Sequence, residues 1–227
     1  MSKTPTSPKT ILCVVGKSGT GKTSLALHLR KYIPFVSSRT TRPLRQGEIS
    51  GEAPYHHFIT TDDYIRDVVS SGKVDIGDLS RGDDIIVADT LFGQNTYWAK
   101  ASDIVSVDSE AVGYIIDPQG VANLYKVIQK AQDLLIRYCW SEKQAPNLHK
   151  LAELKIKILH VSAVDSVLNL TAQERRDRDN DQELGWDLCA ALSDFQFITP
   201  NIPDDRERHI LIGLLSKRLS EQIMRVI

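Results

Sequence analysis

Gly16 to Thr23 read Gly-Lys-Ser-Gly-Thr-Gly-Lys-Thr, an unbroken G-x-x-x-x-G-K-[ST] run. Gly16, Gly19 and Gly21 allow the chain to turn successive amide N–H groups inward. With Ser18, Thr20 and the N-terminus of the helix that follows, these amides form a nest for phosphate oxygens. Lys22 is placed to reach the outer phosphates, and the Thr23 hydroxyl to ligate Mg2+, a cation that takes most of its other ligands from phosphate and water. The pattern follows the apolar run Ile11-Leu12-Cys13-Val14-Val15 and precedes a helical pattern from Ser24 to Tyr32, the context a phosphate loop requires.

Two basic clusters accompany the loop. The first, Ser37 to Glu48, places Arg39, Arg42 and Arg45 and the hydroxyls of Ser38, Thr40 and Thr41 just after an apolar segment and continues to Tyr55. Guanidinium forks bind the oxygens of a phosphate monoester in pairs, and a phenol adds a neutral donor. The second, Glu174 to Asp181, carries Arg175, Arg176 and Arg178. Arginines that close over a transferred phosphoryl group neutralise its charge and exclude water, and Arg176 and Arg178 are the candidates for that task.

The elements that must hold these groups alternate. Strands are predicted at Ile11–Val15, Phe35–Ser38, Ile85–Ala88, Gly113–Asp117, Lys155–Ser162 and Gln196–Thr199, and helices at Ser24–Tyr32, Asp62–Ser70, Val121–Trp140, Glu183–Ser193 and Asp204–Ile227. Such alternation implies an α/β fold, a mostly parallel sheet covered on both faces, with ligands beyond the carboxyl ends of the strands. Asp117-Pro118 reads as a helix start and also as a carboxylate at a strand end, able to orient an arginine or a magnesium-bound water. Between Tyr125 and Ala152 an extended helix and a short one after Pro146 are expected. Ile128, Ala131, Leu135 and Tyr138 share a face there that reads as core packing, with an added homodimer interface as the sharper alternative.

Composition narrows the class. The 227 residues are 41% hydrophobic and 25% charged, enough for one enzyme-sized unit. No apolar run approaches the roughly 20 residues of a membrane span, and residues 1–9 read as a frayed terminus rather than a signal peptide. Three scattered cysteines without a C-x-x-C pair suit a reducing, cytoplasmic compartment. A formal charge of −1 gives no global attraction to nucleic acid, so anion binding must be local.

The phosphate loop, then S-x-T-T-R-x-x-R-x-G-E-x-x-G over Ser38 to Gly51 with a tyrosine beyond, then I-I-D-P-Q-G over Ile115 to Gly120, resembles the guanylate kinase family. The likeness is dense from Leu12 to Phe58 and clear again from Ile115 to Val121. It implies a P-loop NTPase-type sheet with an inserted acceptor-binding lobe (about 39–100), a lid (about 171–182) and a core of 10–38 and 110–227. It also implies ATP as co-substrate, Mg2+, and a nucleoside monophosphate, GMP or dGMP, as acceptor. Carried over by position, Ser38, Arg42, Arg45 and Tyr55 hold the acceptor phosphate, Asp117 organises that site, Gly16 to Thr23 hold the donor, and Asn201 lies near the donor base.

The departures fall on base recognition. Tyr97 matches the family, but Trp98-Ala99 stand where it has Gly-Ser, which removes a hydroxyl. Asp89 is the candidate for the acidic reader of guanine, with Asp75 and Asp78 behind it. A carboxylate facing two N–H groups of guanine makes bonds that adenine cannot reciprocate. A kinase of another deoxynucleotide or of a sugar phosphate stays open, as does a non-catalytic binding module, although such modules typically lose the loop that this chain keeps.

Overall fold

The computed structural model describes residues 9–71, 84–92, 94–163, 183–202 and 204–227. Strand β1, Thr10–Val15, is buried along its whole length because it lies inside a parallel sheet covered on both faces. Its neighbours are β6, Ala111–Ile115, on one side and β7, Lys155–Ala163, on the other, and β7 pairs in turn with β8, Phe195–Thr199. Alternate residues of β1 serve different layers. Ile11, Cys13 and Val15 pack with α4, Pro118–Tyr138, and α5, Pro146–Ala152, whereas Leu12 and Val14 pack with α1, Lys22–Leu29, and the last helix, Asp205–Val226 (α7). Burial pushes the Cys13 thiol far above its usual range, which leaves it an inert core residue.

A second, mixed sheet has the order β3-β2-β5-β4, from His57–Phe58 (β3), Arg39–Thr40 (β2), Asn95–Lys100 (β5) and Ile86–Phe92 (β4). The expected strand at Ile85–Ala88 therefore belongs here, paired antiparallel with β5, and not to the parallel sheet. Its register shifts between Val87 and Thr90, where Ala88 adopts φ +53, a bulge that re-aims the side chains beyond it. The predicted strand Phe35–Ser38 reduces to a single parallel bridge from Phe35 to Gly113. A β-carbon on Gly113 would stand 2.6 Å from the Phe35 ring, so glycine lets the two backbones meet.

Helix α2, Thr61–Ser71, and the short α3, Ala101–Val105, tie this sheet down. Arg39 bridges Asp67 on α2 and Asp103 on α3, Lys100 pairs with Asp67 at 2.6 Å, and the Trp98 indole donates to Asp67. Arg39, grouped by sequence with the phosphate-binding arginines, is thus a strut of the fold. Helix α4 starts as read from Asp117-Pro118: the Asp117 carboxylate accepts from the Gly120 amide at 2.7 Å, with Pro118 at the first helical position. Ile128 and Ala131 are buried in the core while Tyr138 is exposed. Helix α6, Glu183–Ala191, completes the described elements, and no described helix is long and apolar enough to cross a membrane.

Candidate active site

A cavity of about 370 Å3 opens where the parallel sheet meets the second sheet. Its floor is the Gly16 to Thr23 loop, between the C-terminal end of β1 and the start of α1. Gly19 and Gly21 take φ of +86 and +87, the left-handed conformations that swing amides toward a ligand. Tertiary contacts hold the loop from behind. The Thr199 hydroxyl at the end of β8 donates to the Thr20 carbonyl at 2.5 Å and lies 3.1 Å from where a β-carbon of Gly21 would sit, while a β-carbon on Gly16 would collide with the Val161 carbonyl. Lys22 Nζ donates to the Gly16 and Lys17 carbonyls at 2.5 and 2.8 Å, curled over the nest it would share with phosphate. Thr23 is exposed in the first turn of α1.

The opposite wall comes from the second sheet. Arg42 is almost fully buried and donates two parallel bonds of 2.8 Å to Glu48, one further bond to the Pro43 carbonyl, and lies 4.9 Å over the Phe58 ring. This fork is preorganised, because the carboxylate and the ring fix the guanidinium before any ligand arrives. Burial raises the Glu48 carboxyl, but bonds from the Arg42 side chain and the Arg45 amide, with the charges of both arginines, outweigh it and leave the group below its ordinary range. Ser38, Arg45, His56 and Tyr97 line the same end. The Ser38 hydroxyl meets His56 Nδ1 at 2.7 Å, and the His56 ring stands edge-on to Tyr97 at 5.5 Å.

Asp117 lies between the two walls. One carboxylate oxygen takes the Gly120 amide and the other the Thr90 hydroxyl at 2.8 Å. Burial pushes its pKa upward, against these hydrogen bonds and the charge of Lys22. Trp186 of α6 is buried and completes the lining, and a β-carbon on Gly185 would stand 2.8 Å from Pro118, so α6 seats directly on the start of α4.

Sequence comparison matches the chain to no family model and to no curated protein. Among solved structures, a guanylate kinase from Anaplasma phagocytophilum superposes with a TM-score of 0.53 at 18% identity, over 96% of this chain and 85% of that one. The chain has the guanylate kinase fold.

Within this guanylate kinase fold, Gly16, Ser18, Gly19, Gly21, Lys22, Thr23, Ser38, Arg42, Arg45, Tyr97 and Asp117 share one cavity, though they lie up to a hundred residues apart in sequence. Thr20 is buried behind the loop, its hydroxyl turned to the Lys17 carbonyl. Tyr55 is not in the lining, and its backbone carbonyl instead accepts the Ser37 hydroxyl; the ring that reaches the cavity from this segment is His56. Asp89 is not in the lining either, and its carbonyl takes the Asn123 side-chain amide at 2.7 Å. Ala88 and Thr90 line the cavity in its place, because the bulge at Ala88 interrupts the alternation of β4. Asn201 is exposed and outside the lining. Asp75, Asp78, Arg175, Arg176 and Arg178 lie outside the described residues.

Sequence reasoning missed Glu48, His56, Thr90, Thr199 and Trp186. Glu48 stood inside the quoted motif and could have been found as the partner of a buried arginine. The other four carry no local signal, since sheet register or helix docking places them.

Proposed function

We propose that the protein transfers the terminal phosphoryl group of ATP to the phosphate of a nucleoside monophosphate, yielding ADP and a nucleoside diphosphate. The observation that carries this reading is the single cavity in which a phosphate nest and Lys22 face Arg42, Arg45 and Ser38 across a volume of about 370 Å3. Two phosphate-binding ends in one cavity suit in-line transfer between two phosphates, where positioning and charge neutralisation do most of the catalysis.

In this reading the loop amides cradle the donor's phosphates and Lys22 leaves the Gly16 and Lys17 carbonyls to follow the charge that moves to the new bond. Arg42, held by Glu48, and Arg45 fix the acceptor's phosphate so that one of its oxygens faces the transferred phosphorus. That oxygen forms the new P–O bond as the bond to the leaving ADP oxygen breaks. An ionised phosphate oxygen needs no general base. The exposed Thr23 hydroxyl beside the nest fits Mg2+, which when bound neutralises the donor phosphates. Asp117, tied to Gly120 and Thr90, supports the wall between the two ends. Arg176 and Arg178 are proposed to close over the transferred group.

GMP or dGMP is the first acceptor this fold suggests. A second reading, another nucleoside monophosphate, is favoured by the carboxylates that line the cavity among the described residues: Glu48 is engaged by Arg42 and Asp117 by Gly120 and Thr90. A coupled ADP-release assay with ATP, Mg2+ and a panel of GMP, dGMP, AMP, dAMP, CMP, UMP and dTMP separates the readings. Turnover with guanine nucleotides alone supports the first and turnover with another base the second. Silence across the panel removes both and leaves a sugar-phosphate acceptor or a binding module.

A further inference from the structure

His56 is fixed at the acceptor end before any ligand binds. The His57 amide donates to the Ser38 carbonyl at 2.7 Å and the Gly51 amide to the His56 carbonyl at 3.0 Å, so the backbone on either side of the ring is pinned. The exposed His57 points away while His56 faces inward, as neighbours at a strand must. Tyr97 packs against one edge of the ring and Phe58 stands edge-on at 6.0 Å.

The contact with Ser38 bears on which ring nitrogen carries the proton. The Ser38 hydroxyl lies 2.7 Å from His56 Nδ1, within reach to donate its hydrogen to that nitrogen. A neutral imidazole that accepts at Nδ1 has its hydrogen on Nε2. His56 lines the cavity, and among the described residues no hydrogen bond engages its Nε2.

We infer that Ser38 donates to His56 Nδ1 and that His56 binds the acceptor's phosphate through Nε2–H, beside Arg42 and Arg45. The inference rests on the phosphoryl-transfer reading of this end of the cavity. A neutral donor suits the place: Arg42, Arg45 and His57 all bear on the ring, and among the described residues only Glu48 opposes them. Burial first and the Arg42 charge second push its pKa down to about 4, so the imidazole is uncharged at neutral pH. Ser38, read from sequence as a direct phosphate ligand, becomes a positioning residue that hands the donor role to the histidine.

Nitrogen NMR of the full chain labelled at histidine, with and without inorganic phosphate or the monophosphate panel, tests this directly. The expected result at neutral pH is a neutral His56 with hydrogen on Nε2, an Nε2 signal that moves on adding phosphate, and a mixture of tautomers in Ser38→Ala. Hydrogen on Nδ1 in the unliganded protein, or an Nε2 signal indifferent to both inorganic phosphate and every monophosphate, overturns the inference. In turnover, His56→Phe should raise the acceptor's KM roughly tenfold to a hundredfold with the KM of ATP unchanged, and His56→Gln, whose amide can still donate, should recover most of the loss. An acceptor KM within twofold of the parent in His56→Phe overturns it while leaving the kinase reading intact. Absence of turnover together with a phosphate-responsive Nε2 defeats the kinase reading and leaves the phosphate contact standing.

Discussion

The floor of the cavity draws its lining from one short stretch, Gly16 to Thr23, whereas the opposite wall draws Ser38, Arg42, His56 and Tyr97 from separate segments in and beside a mixed sheet. The floor needs only the right dihedrals and a helix start, which glycine spacing specifies. The wall needs a strand register, a bulge at Ala88, a buried Arg42–Glu48 pair and a strut of Arg39 between Asp67 and Asp103. The difference teaches that one half of such a site is local and rigidly encoded, while the other half is assembled and free to change its ligands. His56 rather than Tyr55 lines the cavity there.

If the floor carries the chemistry, Lys22→Ala should lower transfer by on the order of a thousandfold or more while leaving thermal stability near that of the parent. ADP release and a melting curve read both quantities, and full activity in that variant would end the distinction. Arg42→Ala should break the wall instead. It leaves Glu48 half-buried without its partner, and a loss of about 2–3 kcal/mol in stability is expected, along with a higher acceptor KM. Denaturant unfolding checks the first part, and an unchanged midpoint would mean the pair does not hold the wall.

Acid should separate the two halves as well. Glu48 titrates below its ordinary 4.5 in the folded protein, so its stabilisation is complete above that value and fades as pH falls through the lowered one. His56 acts in the same direction over a higher window, since its pKa falls from 6.5 to about 4 on folding and stability declines as pH drops between them. Glu48→Gln should therefore flatten the acid limb of a stability profile below about pH 4.5, and an unaltered limb would assign acid sensitivity elsewhere.

Smaller effects should mark the contacts behind the floor. Thr199→Val removes the bond to the Thr20 carbonyl, for about 1 kcal/mol of stability and a few-fold rise in the KM of ATP alone. A rise in the acceptor KM instead would show that the two ends are coupled through β8. Lys17→Ala should do least, because the Lys17–Glu183 pair is solvent-exposed and such pairs contribute below about 1 kcal/mol.

Much of the core could be read without coordinates. The uninterrupted apolar run of β1 required a strand covered on both faces, and Asp117-Pro118 required a helix start; both are present. The lobe was less legible, since β2 and β3 have two residues each and β5 reads Asn-Thr-Tyr-Trp-Ala-Lys, too short or too irregular for a period to register. Asp89 illustrates the consequence. Counting along the chain put a carboxylate near Tyr97, but the left-handed turn at Ala88 sends Thr90 to the cavity and leaves Asp89 outside its lining.

By itself the sequence determined the glycine-rich loop between a strand and a helix, the cationic character of the facing wall and the α/β class, because each depends on residue type and short spacing. Only the tertiary structure decided that Arg39 braces the second sheet while Arg42 faces the cavity, and that His56 rather than Tyr55 reaches it. The Arg39 and His56 outcomes turn on where the chain enters β2 and β3, since a one-residue step there sends a side chain to the opposite face.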